Sequence, residues 1–345
     1  AGDGRGFVAD DAADDVEAAA ELETDRVAGD DEVGVAGGSL DIVGSVVRDE
    51  ASAVAGVPDP GAFATADVAI AVAQPGQPKR EYDYRLIDSP SFTPPVLAAL
   101  ANASLTAVQA PPVLHTLRTT GTLTFTGGRT FTLDSVVAGE GINGLVFDLL
   151  PPVAVMMLNP FDPLSLESVD LTMTVEDELR SAQLRSARLD RTVARPGETI
   201  QITAVLQPFD APAAVRTLPF ELPSDLPEGE YQLLIGGADS YTYRMLASRP
   251  ELAAVDDVDE ALAALQAVAD VDRQTVYVSL PLPTPGVAVG GRGLPGLPSS
   301  RAAVLGATAS SQTTPYPRFA EAKFAADHVV QGELVVNFRV TTAAP

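Results

Sequence analysis

Leu123-Thr124-Phe125-Thr126-Gly127-Gly128-Arg129-Thr130-Phe131-Thr132-Leu133 sets the class of this chain. Threonine and apolar residues alternate at period two on both sides of a Gly-Gly pair, and glycine takes the positive φ angles of a tight turn without steric cost. The stretch predicts an antiparallel hairpin. Upstream, Leu40 to Val47 and Val68 to Val72 are short apolar runs separated by the turn segment Val57-Pro58-Asp59-Pro60-Gly61. Glu81-Tyr82-Asp83-Tyr84-Arg85-Leu86 alternates charged with apolar residues, the pattern of a strand with one wet and one buried face. Thr93-Pro94-Pro95 offers an N-cap hydroxyl and first-turn prolines to a short helix over Val96 to Leu100.

Downstream, Leu145 to Leu158 is mostly apolar but broken by Pro151-Pro152, and Asn159-Pro160-Phe161-Asp162-Pro163 reads as a domain junction. Strands near 167–176, 180–190, 198–207, 214–221, 230–236 and 241–246 follow at the regular spacing of an immunoglobulin-like sandwich, without the cysteines and tryptophan of antibody domains. A composition shift at Arg249-Pro250 opens a helix. Its residues Val258, Leu262, Leu265 and Val268 recur at helical spacing behind the acidic first turn Asp256, Asp257, Asp259 and Glu260. Thr275 to Leu280 is a strand, Pro281 to Pro298 a loop dense in proline and glycine, and Tyr316 to Ala325 ambiguous. Gly332 to Val340 closes the chain as an edge or terminal strand. The expectation is a mainly β, multi-domain protein with an immunoglobulin-like β-sandwich module and a few short helices. Its parts are an acidic arm or helix (1–39), a β-rich domain (40–163), the sandwich (164–248) and a small α+β C-terminal region (249–345).

Composition narrows the chemistry. The 345 residues carry a net charge of −25 with two histidines, no cysteine and no tryptophan. A field of this sign repels nucleic-acid phosphates and anionic headgroups, and no apolar run reaches the roughly 18 residues of a membrane-spanning helix. Neither nucleic-acid binding nor membrane insertion is expected. Without cysteine there is no disulfide framework, thiolate nucleophile or ordinary zinc site. The first fifty residues hold 15 acids against 3 arginines. Asp10, Asp11, Asp14, Asp15, Glu17, Glu21, Glu23 and Asp25 are dense enough to hold Ca²⁺, but the glycine-punctuated spacing of a calcium loop is missing, and a solvated helix face or arm is favoured. No other cofactor is expected. A start at Ala1, with no charged n-region and apolar h-region behind it, reads as a processed mature form or a fragment.

No catalytic constellation stands out. His115 follows Pro111-Pro112, His328 lies beside Asp327, and neither has a zinc-motif partner at i+4. With 47 acids, paired carboxylates occur by abundance alone. Gly286 to Gly296 lacks the Gly-Lys-Ser/Thr ending of a phosphate cradle. The one basic stretch, Arg180, Arg185, Arg188, Arg191 and Arg195, is the candidate interaction surface, set against a charged edge strand guarded from aggregation.

Several segments, taken in order, resemble the region downstream of the catalytic core in bacterial proteins with a SpoIVB-type serine peptidase domain. They are Ile42-Val43-Gly44-Ser45-Val46-Val47-Arg48-Asp49, Tyr82-Asp83-Tyr84 with the Thr93-Pro94 helix start, Leu158-Asn159-Pro160-Phe161, Arg195-Pro196-Gly197-Glu198-Thr199 and Leu222-Pro223-Ser224-Asp225-Leu226-Pro227-Glu228-Gly229. The resemblance implies a serine in a Gly-x-Ser-Gly-x-Pro setting, whereas Gly37-Gly38-Ser39 continues as Leu40-Asp41, a common turn. Two functions follow as expectations. The first is a non-catalytic, exported bacterial protein that forms a cell-surface or extracellular assembly or presents a binding surface to itself or another surface protein. The second is a processed C-terminal regulatory portion of a SpoIVB-like peptidase whose catalytic core lies upstream. A carbohydrate-binding role is disfavoured by the absence of tryptophan.

Overall fold

The computed structural model describes residues 44–46, 64–140, 143–294 and 313–342. These belong to one compact unit, Ile42–Pro345. The acidic segment with its calcium question, Gly37-Gly38-Ser39 and the turn at 57–61 lie outside the described residues. The chain is mainly β, as expected.

The first layer is a mixed six-stranded sheet built from β1 (Gly44–Val46), β2 (Thr65–Ala73), β3 (Arg80–Ile87), β4 (Leu114–Phe125), β5 (Arg129–Glu140) and β6 (Leu166–Glu176), in the order β1-β3-β2-β6-β4-β5. Period-two burial fixes its face: Ala66, Val68, Ile70 and Val72 of β2 are buried while their neighbours are not. In β3 the inward residues are Tyr82, Tyr84 and Leu86, in agreement with the alternation. The hairpin β4–β5 turns at Gly127 and Gly128, with φ of 79° and 73°.

Two helices cover that face, α1 (Thr93–Thr106) and α2 (Asn143–Met157). α1 is longer than the expected five residues because Leu97, Ala101 and Leu105 continue its buried stripe to the sheet. Thr93 is its first residue and does not cap it. Its hydroxyl accepts from Ser89 N–H and donates to the Ile87 carbonyl, which fixes the turn entering the helix. α2 runs through Pro151-Pro152. Two interior prolines cost a helix several kcal/mol in propensity and lost bonds, roughly 3 each. Burial of Leu145, Leu149, Val153, Met156 and Met157, at about 1.5–3 kcal/mol per side chain, offsets that. The Asn159 side chain then closes the turn, accepting from Phe161 and Asp162 N–H and donating to Met156 and Asp162 carbonyls.

The second core lies between two sheets. One has the order β10-β9-β7-β17, from β7 (Ser181–Leu189), β9 (Thr199–Pro208), β10 (Ala214–Glu221) and β17 (Val329–Gln331), with β8 (Val193–Ala194) leaving it for the other. The other has the order β16-β12-β11-β18-β8, from β11 (Gly229–Gly236), β12 (Thr275–Pro281), β16 (Phe319–Ala325) and β18 (Glu333–Val340). Two neighbouring chain segments cross between the sheets. β17 and β7 pair in parallel, and so do β18 and β8 beyond them, the former segment bending at Gly332 with φ of 91°. Ile200, Ile202, Leu233, Val278, Leu280 and Phe338 fill the space between the sheets.

The layering differs from the sequence divisions. β6, expected to open the sandwich after residue 163, sits in the first sheet between β2 and β4, pairing in parallel with β2. The second sheet of the sandwich takes β12, β16 and β18 from beyond residue 248, so the sandwich is not assembled from 164–248 alone. The sequence carries strand periodicity but not long-range pairing. The strand expected at 241–246 is instead α3 (Ala238–Ser248). Its alternating Tyr241, Tyr243 and Met245 mimic period two, while the buried residues are Ala238, Arg244 and Met245. Arg244 holds α3 to the sheet by donating to Ser279 Oγ at 3.2 Å and pairing with Glu333.

α4 (Val258–Ala269) forms as its pattern requires. The Asp257 side chain accepts from Glu260 N–H and the Glu260 carboxylate accepts from Asp256 N–H, a reciprocal arrangement close to a capping box. Val258, Leu262 and Leu265 pack on the first core. The proline-glycine loop contains a hairpin, β13 (Gly286–Val289) and β14 (Arg292–Gly293), turning at Gly290 and Gly291 with φ of 57° and 79°. β15 (Thr313–Tyr316) pairs with β13, and β16 resolves the ambiguous stretch. β18 is the last strand of the chain, paired with β11 along its whole length and with β8 only at Arg339 and Val340.

Candidate functional site

The sequence-predicted residues do not converge. Arg180 forms ion pairs with Glu176 at 2.7 Å and Glu178 at 3.5 Å, and Arg191 with Asp190 at 3.0 Å. Arg185, at the irregularity between Leu184 and Ser186 of β7, is exposed, as are Arg188 and Arg195, and the three have no ion-pair partner among the described residues. β7 is not the plain edge strand of the sequence reading: it pairs with β9 throughout, while on its other side β17 covers only Ser181 to Gln183. His115 is buried with Nδ1 2.7 Å from the Pro112 carbonyl, a locally satisfied ring. His328 lies just before β17, and neither histidine lines the cavity described next.

That cavity, of about 940 Å³, opens where elements of the two cores meet. Residues Phe131 to Val136 of β5 form one wall and the last turn of α4 with the segment 268–274 another. α2 contributes Asp148, Pro151 and Pro152, and the start of α3 contributes Ala238, Asp239 and Thr242. The centre is a three-residue knot. Arg273 donates from Nη2 to Asp148 Oδ1 at 2.7 Å and from Nη1 to Asp148 Oδ2 at 2.9 Å and Ser135 Oγ at 2.6 Å, while Ser135 Oγ donates to Asp148 Oδ2 at 2.5 Å. Burial acts to lower the Arg273 pKa, but the hydrogen bonds and charge of Asp148, with the field of Asp239, outweigh it and hold the group above its ordinary value. Near the rim Arg118 pairs with Asp134 at 3.4 Å and donates to Gln274 Oε1 at 3.2 Å.

The groups that remain open are backbone ones. β5 ends the six-stranded sheet, with β4 on one side only. At Thr132 its outer edge is occupied by a side chain: Thr132 N–H donates to Gln266 Oε1 and Gln266 Nε2 donates to the Thr132 carbonyl, both at 3.0 Å, so the amide of α4 takes the place of a neighbouring strand. The β4–β5 register has no break, so the N–H and C=O of Asp134 and Val136, two and four residues on, point the same way. Both residues line the cavity, and among the described residues nothing hydrogen-bonds to these four groups.

Charge in the groove is unbalanced. Asp134, Asp148, Asp239, Asp270 and Asp272 face Arg118 and Arg273, which are already paired with Asp134 and Asp148. Asp270 accepts from Gln266 and Asp272 from Gln274 N–H and Thr275, but among the described residues no cation lies within ion-pair distance of Asp239, Asp270 or Asp272. No cluster of three or more metal-ligating side chains occurs among the described residues. Sequence reasoning missed this site because its walls come from segments between 118 and 274. Its one local trace is the alternation that puts Asp134 on the wet face of β5.

A two-layer helix–sheet unit continuous with a two-sheet sandwich defines the class of architecture here. No protein family matches the chain, and neither a curated protein nor a solved structure shows significant similarity to it.

Proposed function

We propose that this is a non-catalytic binding protein, exported from a bacterial cell, whose working surface is the groove beside β5. The observation that carries the reading is the open β5 edge at Asp134 and Val136 inside a cavity of about 940 Å³. Backbone donors and acceptors left free in a concave site are what a protein ligand uses when it adds to a sheet. The side chains support binding over catalysis. The Ser135 hydroxyl donates to Asp148, both oxygens of that carboxylate accept from Arg273, and neither histidine lines the groove. The strongly acidic composition suits a soluble surface component.

The test is selection from a random displayed-peptide library against the purified chain, repeated with Thr242→Trp, which places an indole into the groove from α3. Enriched peptides that saturate the unmodified protein and lose binding to the variant, with the variant's unfolding midpoint unchanged, support the reading. Peptides that bind both proteins equally, or no enrichment, overturn it.

A further inference from the structure

We propose that the groove takes an extended cationic peptide segment, with lysine or arginine alternating with β-branched residues, which adds to β5 as a further strand; the proposal rests on the binding reading above. Three observations carry it. The first is the phase of the edge. Gln266 already plays the part of a neighbouring strand at Thr132, so a ligand continuing that line meets the N–H and C=O of Asp134 and Val136 in turn. Two ligand residues, two positions apart, satisfy all four groups.

The second is that the outer strands β10 and β16 carry a proline or a lysine along the edge and β5 carries neither. In β10 the residue opposite Pro219 is Gln201, whose own backbone N–H and C=O are bonded to Asp190 on the β7 side. Pro219 therefore faces outward and removes a donor from the free edge of β10. The outer strand β16 presents Glu321 and Lys323 to solvent, the charged protection usual at exposed edges. β5 has neither proline nor lysine along its free stretch.

The third is charge. The cations of the groove are bonded within it, while among the described residues no cation lies within ion-pair distance of Asp239, Asp270 or Asp272. A lysine-bearing strand supplies that charge, and an acidic or phosphorylated segment is repelled. The β-branched residues between the lysines suit the apolar wall of Leu133, Leu265 and Val268.

The experiment uses the full chain, isotope-labelled, titrated with a blocked seven-residue peptide of alternating valine and lysine. Amide exchange read by NMR is expected to slow at Asp134 and Val136 and stay unchanged at Thr132, which is already bonded. Methylating the two ligand nitrogens that face β5 is expected to weaken binding by about tenfold, from loss of donors. Replacing lysine by glutamate abolishes binding, and Asp239→Asn weakens it severalfold with the unfolding midpoint as a folding control. Protection elsewhere, indifference to N-methylation, or equal binding of the glutamate peptide overturns the proposal. So does protection of the same amides on concentrating the protein alone, because the occupant is then a second copy. If the displayed library yields groove-dependent peptides but this peptide leaves Asp134 and Val136 unprotected, the cationic strand is wrong and the binding reading stands. If both fail, both fall.

Discussion

Asp148 Oδ1 accepts a 2.7 Å hydrogen bond from Arg273 Nη2, and its Oδ2 a 2.9 Å bond from Nη1, across 125 residues of chain. The pair ties α2, on the first sheet, to the residues that lead into β12 of the sandwich. The Asp148 side chain is 10% exposed and that of Arg273 31%, so this is a largely desolvated contact rather than a surface ion pair.

Breaking one partner should cost more than replacing both. Asp148→Asn leaves the guanidinium without its counter-charge in a desolvated site and is expected to lower unfolding free energy by about 3 kcal/mol. The double change Asp148→Leu with Arg273→Met removes both charges and should cost clearly less than the single one. Urea denaturation of the three proteins decides it. Equal losses in the single and double variants would mean that packing, not charge, dominates here.

Two glycines of the first sheet separate space from conformation. A Cβ on Gly121 would fall inside the van der Waals envelopes of the Asp170 carbonyl oxygen and Leu171 Cδ2, in the interior pair β4–β6. Gly128 has open space around it but φ of 73°. Gly121→Ala is therefore expected to cost about 3 kcal/mol, by overpacking against backbone that cannot yield. Gly128→Ala should cost about 1 kcal/mol, the ordinary penalty for a left-handed residue with a side chain. Thermal unfolding should rank them in that order.

How far the fold was legible follows from which interactions are local. The Gly127-Gly128 hairpin, the alternation in Tyr82, Tyr84 and Leu86, and the capped helix over 258–269 were readable because each signal lies within a dozen residues. α2 was hidden by Pro151-Pro152, whose penalty is offset only by a core the sequence does not display. α3 was hidden by tyrosines that alternate for reasons of their own: Tyr241 stacks on Tyr277 with ring centroids 4.0 Å apart, while Tyr243 is exposed. The groove was beyond reach because it depends on β5 being an edge, and strand order is set by the insertion of β6 between β2 and β4. The arginine stretch was visible for the opposite reason, as a run of like residues, and none of its members lines the groove.

The same tyrosine pair sets an alkaline limit. Burial first, and then the Asp272 charge, push the Tyr277 hydroxyl from 10.0 up to about 12, and burial with Glu321 raises Tyr241 as well. A pKa raised on folding means that the native state holds the proton more tightly. The stabilisation is complete below pH 10 and is lost as pH rises toward 12, because the unfolded chain ionises first. Stability should fall across that window, with Tyr277 contributing about 1 kcal/mol once solvent screening is allowed for. Tyr277→Phe should flatten this part of the curve while costing little at neutral pH, and denaturation midpoints between pH 9 and 12 would show it. An unchanged slope in the variant would place the loss elsewhere.

Pro219 gives the last test, because it bears on whether the sandwich associates through its own edges. It stands at an outward-facing position of β10, opposite Gln201, and leaves that edge one donor short. Val215, four residues earlier on the same strand, is 59% exposed, so apolar surface suited to pairing is present along this edge and the missing N–H is the obstacle. Pro219→Thr restores the donor in a residue that favours strands, without touching the buried face, where Leu218 and Phe220 sit. The variant should keep its unfolding midpoint within about 1 kcal/mol and gain a concentration-dependent dimer by light scattering. If the unmodified chain already dimerises and Pro219→Thr does not strengthen it, association runs through another surface and β10 is not the guarded edge inferred here.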